Sequence, residues 1–293
     1  MKFLILSRNK FSYSNKRLHE EAKRLDIKLQ ICDPADFDMV LGKQSPSIVR
    51  LGKVFPKVDC VIPRLGASIT NYGLSVVSQF EMMQVPVLNT YSSIATTKNK
   101  LSCIQRLSQK DIDIPKTVII RKPSELSAAV KTVGGFPVIL KLLSGTQGIG
   151  VMLVENITTM EATLDTLWSL GQDILIQECI KESLGKDLRV VVVGGKVVGS
   201  MRRQARIGDF RSNFHRGGLT TKIDISDSIE KIAIEASETV GLQVAGVDIL
   251  ESDQGPRVIE VNSSPGLEGI EGCTGINIAK AILEHAREYC RKK

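Results

Sequence analysis

Apolar positions recur along the chain with two periods, one of strands and one of helices. Residues 2–7 (KFLILS) form an apolar run of strand length, residues 15–25 place Leu18, Ala22 and Leu25 at helical spacing, and residues 28–32 return to strand character. A less regular stretch leads to a strand at 59–63, a helix at 75–83 and a short strand at 85–89. This alternation predicts an open α/β domain. The next unit begins with a helix capped by Thr97 or Asn99 and running to about residue 110. It continues with a strand at 117–121, a helix at 123–132, strands at 138–143 and 151–154 around a glycine-rich turn, a helix at 158–170 and a strand at 173–178. The last region holds strands at 188–193 and 196–201, a polar loop over 203–218, a helix at 226–240, a hairpin and a helix near 275–290. The expected fold class is α/β with α+β units, in three domains spanning 1–92, 93–182 and 183–293.

The hairpin pairs VAGVDILE (244–251) with PRVIEVNSSPG (256–266) through Ser252, Asp253, Gln254 and Gly255, residues that favour a turn. Strand side chains alternate between faces, so Val247 and Ile249 point one way and Asp248 the other, while Glu260 and Asn262 share a face. Centring the hairpin on its turn sets Asp248 across from Glu260 or beside it. These residues form either the solvated face of a half-buried hairpin or the site of a cation that relieves their repulsion. An all-oxygen donor set suits magnesium, which keeps several waters and shares its shell with nucleotide phosphates.

A chain of 293 residues can enclose a cleft between domains, and its 42% hydrophobic and 24% charged content is that of a soluble globular protein. It has no apolar run of the ~18 residues that a membrane span needs, and its apolar start lacks the long apolar region and cleavage site of a signal peptide. A cytoplasmic protein without a membrane partner is expected. The six cysteines are scattered and the three histidines do not cluster, which argues against a zinc site or a disulfide framework. The net charge of +7 favours an acidic partner. Aromatic residues are only 4% and are not interleaved with basic ones, so direct nucleic-acid binding by stacking is not expected.

The segment from Lys141 to Val151 is rich in glycine, yet it lacks a P-loop ending and GxGxxG spacing and runs from strand to strand. It reads either as an ordinary hairpin turn or as a tip whose N–H groups fold over phosphates. Lys141 lies inside the apolar run PVILKLL, where an ammonium needs an anionic partner or a route to water. Lys100 by itself is an ordinary surface lysine.

Taken together, NKL (99–101), VILKLLSGTQGIGV (138–151), QECIKESLGKDLRV (177–190), GDFRSNFHRGG (208–218), VAGVDIL (244–250) and EVNSSPGLEGIE (260–271) resemble the ATP-grasp superfamily. The resemblance is closest to the RimK-type glutamate ligases and covers residues 90–280. It implies an ATP-grasp fold with the nucleotide between the central and C-terminal domains. Lys100 and Lys141 would contact its phosphates, and the tip carrying Ser144, Gly145 and Gly148 would act as a lid. Gln177, Glu178 and Cys179 resemble the hinge whose backbone reads adenine, although relatives often carry an aromatic residue where this chain has Cys179. Asp187 would lie near the ribose, Arg211, Ser212 and Asn213 near the phosphates, and Asp248, Glu260 and Asn262 would hold two magnesium ions, with manganese as an alternative.

The same resemblance implies that ATP phosphorylates a carboxylate and that an amine attacks the acylphosphate. Arginines stabilise the charge that develops; the candidates are Arg189, Arg202, Arg203, Arg211 and Arg216. Arg202 and Arg203 point to opposite faces of one strand, so one of them faces the cleft. The resemblance favours Arg202, alongside Arg211, as catalytic. It further implies that L-glutamate is added to the acidic C-terminal tail of a small-subunit ribosomal protein, and that the enzyme is a homo-oligomer, a dimer or tetramer. Sister branches instead use small-molecule or carrier-protein acceptors. A regulatory or RNA-associated protein without turnover is a third reading, disfavoured by the intact Lys100, Lys141, Asp248, Glu260 and Asn262.

Overall fold

The apolar run after Met1 becomes β1 (Lys2–Leu6), the middle of a parallel sheet with β2 (Lys28–Cys32) and β6 (Cys60–Pro63) on its two sides. The computed structural model describes residues 1–43, 46–143, 150–206, 209–210 and 218–292. Helix α1 (Tyr13–Arg24) connects β1 to β2 and starts where the Ser12 hydroxyl accepts a bond from the Asn15 N–H. The expected strand at 85–89 reduces to a single parallel bridge, Val61 to Val87, because Pro86 has no N–H to give to a ladder. The irregular stretch after β2 holds a small antiparallel sheet of β3 (Phe37–Val40), β4 (Ser47–Arg50) and β5 (Lys53–Val54). Phe37 meets Phe55 and Phe80 edge to face there, with ring centroids 5.0 and 5.9 Å away, and Phe80 comes from α2 (Thr70–Met82).

Two helices, α3 (Tyr91–Lys98) and α4 (Lys100–Gln109), lead to an antiparallel sheet. Its strands β7 (Thr117–Ile119), β8 (Val138–Leu142), β9 (Val151–Val154) and β10 (Ile174–Glu178) lie in the order β7-β10-β8-β9. Helices α5 (Leu126–Thr132) and α6 (Ile157–Ser169) cover one face, burying Val138, Leu140, Leu164 and Ile176 in a core of their own. Each such side chain contributes about 1.5–3 kcal/mol of burial.

The remaining strands are β11 (Lys186–Val193), β12 (Lys196–Gln204), β13 (Leu219–Lys222), β14 (Val244–Ser252) and β15 (Gly255–Asn262), arranged β13-β12-β11-β14-β15. On one face Leu188, Val190, Val192, Val247 and Ile249 pack on α7 (Asp227–Thr239) and on Cys103 and Leu107 of α4. Helix α4 therefore shares its core with this sheet. On the other face Val191, Val193, Met201 and Val244 join Phe3, Ile5 and Leu18 of the first sheet and Ile278 and Ile282 of α9 (Ile278–Arg291) in one core. The other end of that face carries charged residues instead.

Candidate active site

The hairpin closes at the pair Ser252–Gly255, with the Ser252 hydroxyl donating to the Gly255 carbonyl over 2.7 Å. Regular pairing from that closure would set Asp248 opposite Ile259. A β-bulge inserts one extra residue, so Asp248 pairs with Glu260 and Ile249 with Val258. Such a bulge re-aims side chains, and both Ile259 and Glu260 reach the cavity beside it. The ladder then brings Arg189 of β11 level with Asp248, and Arg203 of β12 level with Asp187.

These residues form a tight ionic network. Arg189 donates from Nε and Nη2 to the two oxygens of Asp248, the second over 2.8 Å. Arg203 donates to both oxygens of Asp187 at 2.6 and 2.5 Å and lies 3.0 Å from Asp248. Burial opposes the charge on Asp248, but the guanidiniums of Arg189 and Arg203 outweigh it and hold the carboxyl below its ordinary range. For Arg203 burial acts against the cation, and Asp248 and Asp187 raise its pKa above the ordinary value despite it.

Glu260 lacks this balance. It is exposed and lines the cavity, and unlike Asp187 and Asp248 it takes part in none of the ion pairs found among the described residues. Crowding by protein atoms raises its pKa, as does the neighbouring Asp248, while Arg189, Lys141 and Lys100 pull the other way. Asn262 completes the group, its Nδ2 lying 3.4 Å from the Gly246 carbonyl and 3.5 Å from Asp248. An unbalanced carboxylate beside a second carboxylate and an amide fits a hard divalent cation, for which oxygen is the preferred donor. Asp248, Glu260 and Asn262 would hold it.

Across the cavity stand two lysines. Lys141 sits in β8, paired with Val151 and Leu175, and Lys100 is the first residue of α4, whose N-cap Asn99 accepts a bond from the Ser102 N–H. The Lys100 ammonium donates to the Leu142 carbonyl at 2.9 Å, so the helix start is tied to the central sheet. Burial pushes Lys141 down to about 8, Glu260 and Asp248 oppose the shift and Lys100 adds to it. Lys100 is lowered by burial in the same way, with Glu260 opposing. Two ammonium groups in surroundings that disfavour their charge form a receptor for a polyanion.

The cavity between the central and five-stranded sheets has a volume of about 360 Å³, within the range of small-molecule sites. Ile139, Leu175, Leu250 and Ile259 give it apolar walls, and Lys100, Lys141, Asp187, Asp248, Glu260 and Asn262 line it together. The apolar positions were not singled out from the sequence. The signal was present, since Ile139 lies two residues before Lys141 and therefore on the same face of β8. At the segment linking the two sheets, Gln177 spends its side chain on Thr117 at 2.8 Å and Glu178 accepts from the Lys116 N–H at 3.0 Å. Both residues, together with Cys179, line the cavity there. Burial raises the Cys179 thiol.

One expectation is reversed. Arg203, not Arg202, faces the cavity. Alternation puts Arg202 on the far face, level with Leu188, where it pairs with Glu251 at 2.7 Å. Ser144, Gly145, Gly148, Arg211, Ser212 and Asn213 lie outside the described residues.

The RimK-like ATP-grasp domain model matches residues 97–286, and the RimK PreATP-grasp domain model matches residues 1–94. A probable alpha-L-glutamate ligase from Marinomonas sp. (strain MWYL1) is 46% identical over 285 residues, covering 97% of this chain and 95% of that protein. The solved structure of the ATP-grasp ligase PsnB complexed with minimal precursor, Mg and ADP is similar with a TM-score of 0.76 at 19% identity, over 99% of this chain and 98% of that one. PsnB complexed with precursor peptide PsnA2 and AMPPNP gives 0.75 at 18% identity, with the same coverage of 99% and 98%. Fold and cleft thus define an ATP-grasp enzyme, an ATP-dependent carboxylate–amine ligase of a class that uses ATP and magnesium. Within that class the chain belongs to the RimK family.

Proposed function

We propose that this enzyme adds L-glutamate to the C-terminal carboxylate of an acidic protein tail in the cytoplasm. The observation that carries the reading is the single cavity in which Glu260, short of a counter-ion, and Asp248 face Lys100 and Lys141. Glutamate as the donor is supported by the name of the relative at 46% identity. A peptide-sized acceptor is supported by PsnB, which holds a precursor peptide on a similar fold. The tail of a small-subunit ribosomal protein is the acceptor to test first, on the family resemblance and on the net charge of +7, which favours an acidic partner.

The γ-phosphoryl group of ATP passes to a carboxylate oxygen of the acceptor and ADP leaves. The glutamate amine then attacks the acyl carbon, the phosphate departs with the C–O bond, and the amine loses its proton. Lys100 and Lys141 hold the phosphates, Asp187 faces the ribose, and the backbone at Gln177, Glu178 and Cys179 meets the adenine edge. Arg189 and Arg203 both line the cavity, and Arg203, held by Asp187, would stabilise the developing oxyanion. The family resemblance assigns Arg211, Ser212 and Asn213 to phosphate binding and Ser144, Gly145 and Gly148 to the lid; all six lie outside the described residues. Two magnesium ions, or manganese in their place, would be held by Asp248, Glu260 and Asn262, and supply charge neutralisation for the phosphoryl group. The working form is a homo-oligomer.

Mass spectrometry of products from ATP, magnesium, L-glutamate and a peptide ending in Glu-Glu tests the reading. Glutamyl additions to the peptide are expected with the wild type. Glu260→Gln is expected to fold normally and to form no amide; undiminished product from that variant would remove Glu260 from the metal set. ADP release without peptide modification would move the acceptor to a small molecule.

A further inference from the structure

Arg64 follows β6 at the carboxyl edge of the parallel sheet, the edge at which open α/β sheets present ligands. Its guanidinium is part-buried and makes one bond among the described residues, from Nη2 to the Pro265 carbonyl at 2.8 Å. Arg17, Arg50, Arg189, Arg203 and Arg257 each have a carboxylate within 4.0 Å. Arg64 has none among the described residues, leaving most of its five N–H donors to be satisfied. Burial pulls it down to about 10, so it stays charged at neutral pH.

Its one partner also matters. Pro265 lies three residues beyond Asn262, and Ser264, Pro265 and Gly266 line the reaction cavity. The Ser264 hydroxyl reaches back to the Pro63 carbonyl at 3.3 Å, so the edge of the first sheet and the cavity loop meet at Arg64. An unneutralised guanidinium at that seam matches a carboxylate, which accepts two parallel N–H bonds.

We propose that Arg64 binds a non-reacting carboxylate of a substrate held in the cleft, an assignment that rests on the glutamate-ligase reading above. The carboxylate belongs either to the incoming amino acid or to an acidic residue of the acceptor, and the experiment separates these sources. Steady-state kinetics with ATP, magnesium, L-glutamate and the Glu-Glu peptide are compared for the wild type, Arg64→Gln and Arg64→Lys. Arg64→Gln is expected to raise KM for L-glutamate or for the peptide by about 10–100-fold, with KM for ATP within about twofold. The substrate affected names the source. Arg64→Lys is expected to recover part of the loss. The matching carboxamide of that substrate is expected to be a poor substrate for the wild type and no poorer for Arg64→Gln.

Unchanged KM for both carboxylate substrates, or a KM for ATP that rises in step with them, overturns the assignment and leaves Arg64 as a clasp on the cavity loop. If Arg64→Gln does not fold by circular dichroism, Arg64→Lys carries the comparison, with a severalfold rise in one KM expected. If the wild type forms no amide, the functional reading fails on its own. Calorimetric binding of L-glutamate and of the peptide, with magnesium and a non-hydrolysable ATP analogue, then decides. About tenfold weaker binding of one of them to Arg64→Gln sustains the role of Arg64, and equal affinity for both overturns it.

Discussion

Lys141 carries a charge that its surroundings make costly, since burial pushes its ammonium down to about 8 and only Glu260 and Asp248 pull back. The folded pKa lies below the unfolded value of about 10.4, so from about pH 8 to 10.4 the unfolded chain binds more protons and ligand-free stability rises with pH. Below about pH 8 both states are protonated and the full penalty stands. Lys141→Met is therefore expected to stabilise the ligand-free protein at pH 7, on the order of 1–3 kcal/mol, and to lose the rise in Tm that ATP and magnesium give the wild type. Calorimetric scans with and without nucleotide check both, and a lower ligand-free Tm for the variant would contradict the argument. The two arginines of β12 differ as sharply. Arg203→Ala removes the guanidinium that binds both oxygens of buried Asp187 and lies 3.0 Å from Asp248, and is expected to cost about 3–5 kcal/mol. Arg202→Ala removes a half-exposed pair with Glu251 and should cost about 1 kcal/mol or less. Urea titration of both variants measures the difference.

At the scale of elements, a helix cap fixes Lys100, the residue proposed to bind phosphate. Asn99 accepts from the Ser102 N–H at 3.0 Å, and the next residue, Lys100, reaches the cavity from the first turn of α4. Asn99→Ala is expected to lower stability by about 1 kcal/mol, to raise KM for ATP severalfold, and to be largely rescued by Asn99→Asp. The cap was legible in the sequence as one of two candidates, and so was the hairpin that carries Asp248 and Glu260. Their direct opposition was not, because it depends on a bulge and alternation alone left Glu260 opposite or adjacent. The cleft-facing arginine was legible only as a choice between neighbours, which the ladder of β11 and β12 decided. Other elements left no clear pattern. Helix α8 (Glu268–Thr274) contains Gly269 and Gly272, poor helix formers, and is held by Ile270, which is fully buried. Helix α3 is rich in Ser and Thr, held by the Thr90 cap and buried Ile94. Strand β5 has two residues, too few to show a period.

At the scale of the molecule, cohesion is unevenly shared. The first sheet and the five-stranded sheet bury Phe3, Ile5, Val191, Val193 and Ile282 in one core, and Asn89 adds a polar tie. That side chain, 1% exposed, donates to the Val244 and Ser263 carbonyls and accepts from the Gln243 and Val244 N–H groups. Unfolding the first sheet would expose this core and leave those groups without partners, which couples the two sheets into one cooperative unit. The central sheet differs, because the buried side chains of its core all come from residues 120–176. Its link to the rest includes the bond from Lys100 to the Leu142 carbonyl. Nucleotide bound between Lys141 on one side and Asp187 and Glu260 on the other would add the missing contact. Hydrogen exchange without nucleotide is expected to show β8 and β10 opening at lower free energy than β11 and β14, by a few kcal/mol. With ATP and magnesium at about 100 times Kd, protection should rise by up to about 2.7 kcal/mol, concentrated in β8 and β10. Equal protection of all four strands without nucleotide would show that the central sheet is not a separate unit, and a ligand effect spread evenly over the chain would show that it does not close over the site.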